Sequence, residues 1–500
     1  MKANKTVSSS NIKSSLKTTS LFGGVQIIGI VVSIIRNKFV ALLIGPLGVG
    51  IVELYNSTIR LIKSLTDFSI QISAVRDVSI AYKSGDSTIF NHVTTLFSKI
   101  VWFTGILGAG ICFLGSPLWS RLTFGNFNYT LGFALLSSVL LFNQLQSGKG
   151  VLLQSTGHYR YLALSGIIGN VMGLLTTVPI YYMMGIDGIV AVLIITAATA
   201  YILTYYYASK IKMQKTNLSI RQAIIEGRNM LGQGYLLSIN FLFSSLIFYI
   251  LRIFITDKGG VEELGLYSAS FAIINTYLNL IFQSMTQEYY PRISGLCSEI
   301  SKFNDAVNSQ IYLILLILGP LIAIFLTFSD KLLIILYSHQ FSDAGLLMAL
   351  SMVGVILQAP SVCMGYAFLA KGDNKAFFLY ESIAKIQKLV TDILFYLLWG
   401  LAGLGWSLIV SYTYYTVQCV FVCKKRYNLS LSGLVYKIIV FYLLLGGLLV
   451  GVFYYYSFVL RTVIGSFFII VSSFYSYYQL DKIVGLKSYV QRKLFKNTNE

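Results

Sequence analysis

The residues that could do chemistry lie inside long apolar runs, at helical spacing. Glu53, Asn56, Arg60, Lys63 and Asp67 follow at steps of 3, 4, 3 and 4, which puts all five on one helix face. Gln26, Ser33 and Arg36 share a face in the run before. Ser238, Ser245 and Arg252 recur every seven residues, and Asn279, Gln283 and Gln287 every four. Glu381, Lys385, Lys388 and Asp392 follow at steps of 4, 3 and 4. A charge near a bilayer centre costs about 2.5–3.5 kcal/mol, so such stripes face a protein interior or a wet cavity. Arg36, Arg60 and Arg252 have no acidic residue at i±3 or i±4 and read as unpaired. Arginine stays charged and forks onto phosphate oxygens, so the expected ligand is an anion, a phosphate above all. Arg36, Arg60, Lys63, Arg252, Gln283, Lys385 and Lys388 are the expected cavity residues. Glu53, Asp67, Glu381 and Asp392 are expected to hold a coupling ion or to balance charge. A structural alternative stays open. Lys63/Asp67, Glu381/Lys385 and Lys388/Asp392 are i,i+4 pairs that could neutralise each other, and the four charges of the last stripe sum to zero.

The elements that position these residues are membrane helices. Apolar residues make up 56% of the 500 and charged residues 11%, against roughly 25% charged in soluble domains. Helices are predicted at 21–44, 48–74, 93–117, 129–154, 160–182, 185–207, 232–255, 263–287, 309–329, 344–370, 377–399, 402–424, 434–455 and 458–478. Most reach the roughly 20 residues needed to cross the hydrocarbon. The fold class is an all-α polytopic membrane protein of about fourteen transmembrane helices. The net charge of +19 gathers in the breaks between apolar runs. With both termini in the cytoplasm, only Arg121, Lys258, Lys331 and Arg461 fall in outside loops, as the positive-inside rule requires. That distribution points to a lipid bilayer as partner and not to nucleic acid. The first apolar run, from Leu21, lacks a small-residue cleavage site and reads as a retained helix.

The five cysteines and three histidines form no metal-ligand or triad pattern, and no cofactor is expected. No G-x-x-x-x-G-K-[ST] phosphate loop is present, so the chain has no ATPase signature. Energy would come from a gradient or from the membrane potential.

Short matches suggest an internal repeat. Glu53-Leu54-Tyr55 pairs with Gly265-Leu266-Tyr267 at an offset of 212, Arg76 with Arg292 at 216, and Gly157-His158-Tyr159 with Gly372-Asp373-Asn374 at 215. Two parallel six-helix bundles follow, related by a pseudo-two-fold along the membrane normal, with two helices added. The expected domains are a cytoplasmic tail (1–20), an N-terminal bundle (21–207) and a basic cytoplasmic linker (208–231). A C-terminal bundle (232–424), two further transmembrane helices (434–478) and a basic cytoplasmic tail (479–500) complete the chain.

Three strings resemble a known family: Ala41-Leu42-Leu43-Ile44-Gly45-Pro46-Leu47-Gly48-Val49-Gly50, Gly265-Leu266-Tyr267-Ser268-Ala269-Ser270-Phe271, and Tyr289-Tyr290-Pro291-Arg292-Ile293-Ser294. With Leu369-Ala370-Lys371-Gly372, they make residues 15–430 similar to Wzx-type O-antigen and polysaccharide flippases. These belong to the multidrug/oligosaccharidyl-lipid/polysaccharide exporter superfamily. The resemblance implies a V-shaped pair of bundles and alternating access in the bacterial cytoplasmic (inner) membrane. It also implies flipping of an undecaprenyl-pyrophosphate-linked oligosaccharide to the periplasmic leaflet, beside a polymerase and chain-length proteins of the same pathway. Related lipid II flippases carry basic cavity residues on helices 1, 2 and 7, where Arg36, Arg60 and Arg252 fall. Fourteen helices resemble those flippases more than twelve-helix Wzx-type members. The rivals are a lipid II-type flippase and a small-molecule exporter of the same superfamily. A membrane glycan polymerase ranks last, since Glu262-Glu263 is the only adjacent acidic pair in an outside loop.

Overall fold

A computed structural model describes residues 9–214, 216–228 and 235–484. Side chains are described from Ile28 onward, except at 235–237, 277, 279–280, 283–287 and 483–484. The predicted polar positions Gln26, Asn279, Gln283 and Gln287 therefore lie outside the described side chains.

The described chain is helical, and nine segments are long and apolar enough to cross a membrane. Four of these double back, and Thr130–Ser155 adds another pass, which gives the fourteen helices of a multi-pass membrane protein. Ser9–Thr66 turns at Gly45 into α1 (9–44) and α2 (46–66). Then come α3 Ser87–Leu114, α4 Thr130–Ser155, α5 Tyr159–Met184 and α6 Ile189–Ala208. Tyr235–Gly295 turns at Gly260 into α7 (235–259) and α8 (261–295). After α9 Ile300–Leu336 and α10 Gly345–Ala370, Asn374–Tyr427 turns at Trp399 and Gly400 into α11 (374–398) and α12 (401–427). The last two are α13 Gly433–Tyr455 and α14 Phe458–Val484.

Two short helices were not foreseen, Ser116–Phe124 and Ile220–Glu226. Nor was a break in the second predicted helix. α2 stops at Thr66 and the chain resumes as Ile70–Lys83, with Phe68 at φ 48 and Ser69 at φ 46.

The repeat is written in the turns. Gly45 (φ 61, ψ −171) matches Gly260 (φ 84, ψ 171), and Gly185 (φ 55, ψ −130) matches Gly400 (φ 58, ψ −139). Gly157 (φ 75) matches Gly372 (φ 74), and every pair is 215 residues apart. Side chains with a Cβ rarely adopt such backbone, so glycine is needed in each place. The pairing of Glu53-Leu54-Tyr55 with Gly265-Leu266-Tyr267 is three residues out of this register.

The chain forms two compact units, Met1–Gly265 and Leu266–Glu500. The first runs past the 208–231 linker and includes α7. Its core gathers Tyr55, Phe133, Leu136, Tyr181 and Ile189. A Cβ on Gly132 would lie 2.2 Å from the Tyr55 hydroxyl oxygen, so the ring depends on that glycine. Toward the basic end a second core joins Ile70, Phe97, Ile100 and Ala223 of the short linker helix. The linker is also tied to α3 by the Gln214 amide on Asn91 (3.0 Å) and by His92 with Glu226 (2.7 Å).

In the second unit, α13 and α14 pack on α9. A Cβ on Gly319 would lie 2.1 Å from the Tyr442 ring, and one on Gly465 would lie 2.2 Å from Thr327. Arg461, buried on α14, donates twice to the Asp330 carboxylate at 2.6 and 2.7 Å. Arg461 is thus an internal tie and not a loop charge. Arg121, Lys258 and Lys331 also stand within helices. Charge counting along a sequence cannot separate a buried partner from a solvated end.

Candidate functional site

In the first unit the predicted stripe on α2 becomes a charge cluster. Glu53 and Arg60 are two turns apart on one face, and the Arg60 Nη2 donates to the Glu53 Oε1. From α7, the Arg252 Nε donates to the same oxygen at 2.6 Å. Two guanidiniums share one carboxylate, leaving a net charge of +1 by formal count. Their surroundings differ. The Arg252 side chain is 15% exposed and also donates to the Phe248 carbonyl at 3.0 Å. The Arg60 side chain is 53% exposed.

The expectation that Arg60 and Arg252 are unpaired is therefore corrected. Glu53 reaches Arg60 across two helical turns and reaches Arg252 across a helix interface. A search limited to i±3 and i±4 sees neither. Arg36 does stand without a carboxylate, as does Lys63, since neither has an ion pair among the described residues. Arg36 lies by Tyr181 and Gly173, where a Cβ would come 3.8 Å from its Nη1.

What places Arg252 is a hydroxyl relay one turn earlier on α7. The Tyr249 hydroxyl bonds Thr123 at 2.7 Å, and Thr123 bonds Thr58 of α2 at 3.2 Å. All three are buried. The relay holds α7 in register with the part of α2 between Glu53 and Arg60. The sequence analysis missed these positioning residues because hydroxyls in apolar helices carry no pattern of their own.

Asp67 makes no ion pair with Lys63. It sits where α2 breaks and accepts from the Gln144 Nε2 at 2.9 Å and the Gln71 Nε2 at 3.3 Å. The Gln144 amide also donates to the Thr104 hydroxyl at 2.8 Å. The other two anticipated pairs do form. Lys388 bonds Asp392 at 2.5 Å, and Asp392 also accepts from Ser407. Lys385 lies 3.5 Å from Glu381, which accepts from the Tyr415 hydroxyl at 2.5 Å. Glu381 lines a cavity of about 290 Å³ with Gln358, Tyr366, Tyr412 and Tyr415. The helix 11 stripe is thus paired within its own helix, as the structural alternative held. A roomier cavity of about 470 Å³, with Lys99, Trp102 and Lys149 in its lining, includes none of the predicted site residues.

Residues 39–346 match the family described as polysaccharide biosynthesis protein. The chain belongs to that family. No curated protein sequence matches it. Among solved structures, the family member is similar to a lipid II flippase MurJ in an inward closed conformation. The identity is 13%, the match covers 93% of this chain and 99% of that one, and the TM-score is 0.66. It is also similar to a multidrug resistance MATE family transporter of the MOP superfamily in an inward-facing conformation, with 12% identity, coverage of 81% and 94%, and a TM-score of 0.61. A MOP superfamily transporter from Pyrococcus furiosus, described as having a binding pocket of reverse polarity, matches at 13% identity, with coverage of 82% and 96% and a TM-score of 0.56. Each likeness, at TM-scores from 0.56 to 0.66, shows a shared fold.

Proposed function

We propose that the protein is a flippase, not an enzyme, that moves an undecaprenyl-pyrophosphate-linked oligosaccharide from the cytoplasmic to the outer leaflet by alternating access. The observation that carries this reading is the Arg252–Glu53–Arg60 cluster. A carboxylate shared by two guanidiniums holds them in place and leaves donors over for a phosphate. Arg60, the exposed member, reaches the ligand. Arg36 on α1 and Lys63 on α2 add positive charge in the same unit. Together they offset part of the cost of taking a pyrophosphate out of water. Membership of a polysaccharide biosynthesis family and the likeness to a lipid II flippase support a lipid-linked glycan over a small cation. Both termini are taken as cytoplasmic, from the basic loops. The polymerase and chain-length proteins of the same pathway are the proposed partners. The proposal is tested with Arg60→Ala in cells that depend on this protein for glycan export. Loss of surface glycan with a correctly inserted variant is expected. Normal export would refute it.

A further inference from the structure

Four acidic residues lie along the polar faces, and three of them already have cationic partners. Glu53 has two arginines, Glu381 has Lys385 and Asp392 has Lys388. Among the described residues Asp67 has only amides, from Gln144 and Gln71. It lies inside the first unit. Thr58 meets Thr123 of the short helix between α3 and α4, and Asp67 is nine residues on, about 14 Å along the helix at 1.5 Å per residue.

Its surroundings are polar and oxygen-rich. Gln144 is buried, and its Oε1 has no hydrogen-bond partner while its Nε2 donates to both Asp67 and Thr104. A buried amide oxygen left unbonded costs about 1–3 kcal/mol. A half-turn of that amide would aim Oε1 at the Asp67 carboxylate and the Thr104 hydroxyl. The Thr104 hydroxyl already donates to the Val101 carbonyl at 3.1 Å, so three oxygen acceptors would then converge, and a cation between them would satisfy all three. The break at 67–69 takes backbone out of the helical ladder at this same place, the setting in which membrane transporters hold small cations. A cavity of about 450 Å³ lined by Gln71, Ser147 and Gln154 reaches Gln71, which bonds Asp67. It is a polar approach from the basic end of the bundle.

We infer that Asp67, Gln144 and Thr104 form a binding site for a small cation, a proton or an alkali ion. The amide of Gln144 turns over between the empty and the occupied state. The facing residues of α3 and α4, Thr104, Gly108 and Gln144, carry no charge. Lys63, one turn back on α2, makes no ion pair with the carboxylate. Only the cation's role as coupling ion rests on the flippase reading, and its binding is measured without substrate or transport.

The test uses the purified full chain in lipid nanodiscs. Unfolding midpoints are measured in sodium, potassium and choline chloride at constant ionic strength, and from pH 5 to 8. His92→Gln serves as background, so that the His92–Glu226 contact takes no part in the response. A sodium-specific rise of a few degrees that vanishes in Asp67→Asn identifies an alkali ion. A pH-dependent shift without sodium dependence, lost in the same variant, identifies a proton. Equal responses of the parent and Asp67→Asn overturn the inference. If Asp67→Asn fails to fold, Gln144→Leu keeps the carboxylate and removes the amide. Cation affinity at least tenfold weaker is expected there, and unchanged affinity also overturns the inference.

Discussion

Arg60 and Arg252 share Glu53 yet should fail in different ways when removed. Truncating one partner of a buried pair costs about 3–5 kcal/mol, because it strands the other charge. Arg252 is such a partner, with its Nε 2.6 Å from Glu53 and little exposure. Glu53 would keep Arg60, so Arg252→Ala is expected near the low end, about 3 kcal/mol. Arg60 is over half exposed, and exposed pairs contribute about 1 kcal/mol or less. Arg60→Ala should therefore leave the unfolding midpoint nearly unchanged. In binding the order reverses. A hydrogen bond to a charged group contributes about 1.5–3 kcal/mol. At tenfold per 1.4 kcal/mol, Arg60→Ala should weaken binding of a pyrophosphate-linked glycolipid by about 12- to 140-fold. The loss should be smaller for a monophosphate-linked analogue, which offers fewer oxygens. Thermal unfolding and glycolipid titration of the purified variants decide the matter. If Arg60→Ala costs as much stability as Arg252→Ala, or binds both lipids like the parent, the division of labour is wrong.

The remaining predictions concern the scaffold. Arg461→Met should cost about 3–5 kcal/mol by stranding Asp330, and adding Asp330→Leu should recover part of it, read by thermal unfolding. Gly265→Ala would place a Cβ 2.0 Å from the Pro46 carbonyl, and Gly50→Ala one 2.1 Å from that of Val261. Each should cost about 1–3 kcal/mol or more, seen as a lowered midpoint or loss of monodisperse protein on size exclusion. At the α10–α11 turn, burial would raise the Asp373 carboxyl, but bonds from Tyr427 and the Ala376 amide, with the Arg426 charge, outweigh it and lower it. A lowered native value means this stability is full above the unfolded value, near 3.9, and is lost as pH falls through the native one. Acid unfolding should therefore be less steep below about pH 4 in Asp373→Asn.

Much of this was legible in the order of residues. Helix positions follow from apolar runs long enough to cross lipid, and the structure moves most ends by a few residues. The repeat was visible at the Gly157 and Gly372 turns, where both glycine and offset agree. It was misread at Tyr55 and Tyr267, because three-letter matches in apolar helices arise by composition. The break in α2 left no signal. Phe68 and Ser69 are ordinary helix residues, yet both stand at positive φ beside Asp67.

Period, charge and hydropathy are properties of neighbours along the chain, so the sequence by itself determined the membrane class, the fourteen passes and the faces on which the charges stand. It could not determine which charges meet. An arginine on α7 and a glutamate on α2 are 199 residues apart in the chain, and only folding brings them within 2.6 Å. Tertiary structure made Glu53 a partner shared between α2 and α7 and left Asp67 among amides, whereas Lys385 and Lys388 meet carboxylates of their own helix, as their spacing allowed. The physical reason is that the cost of a charge in lipid is settled by the side chain that finally touches it, and for Arg252 and Asp67 that contact is made across helices.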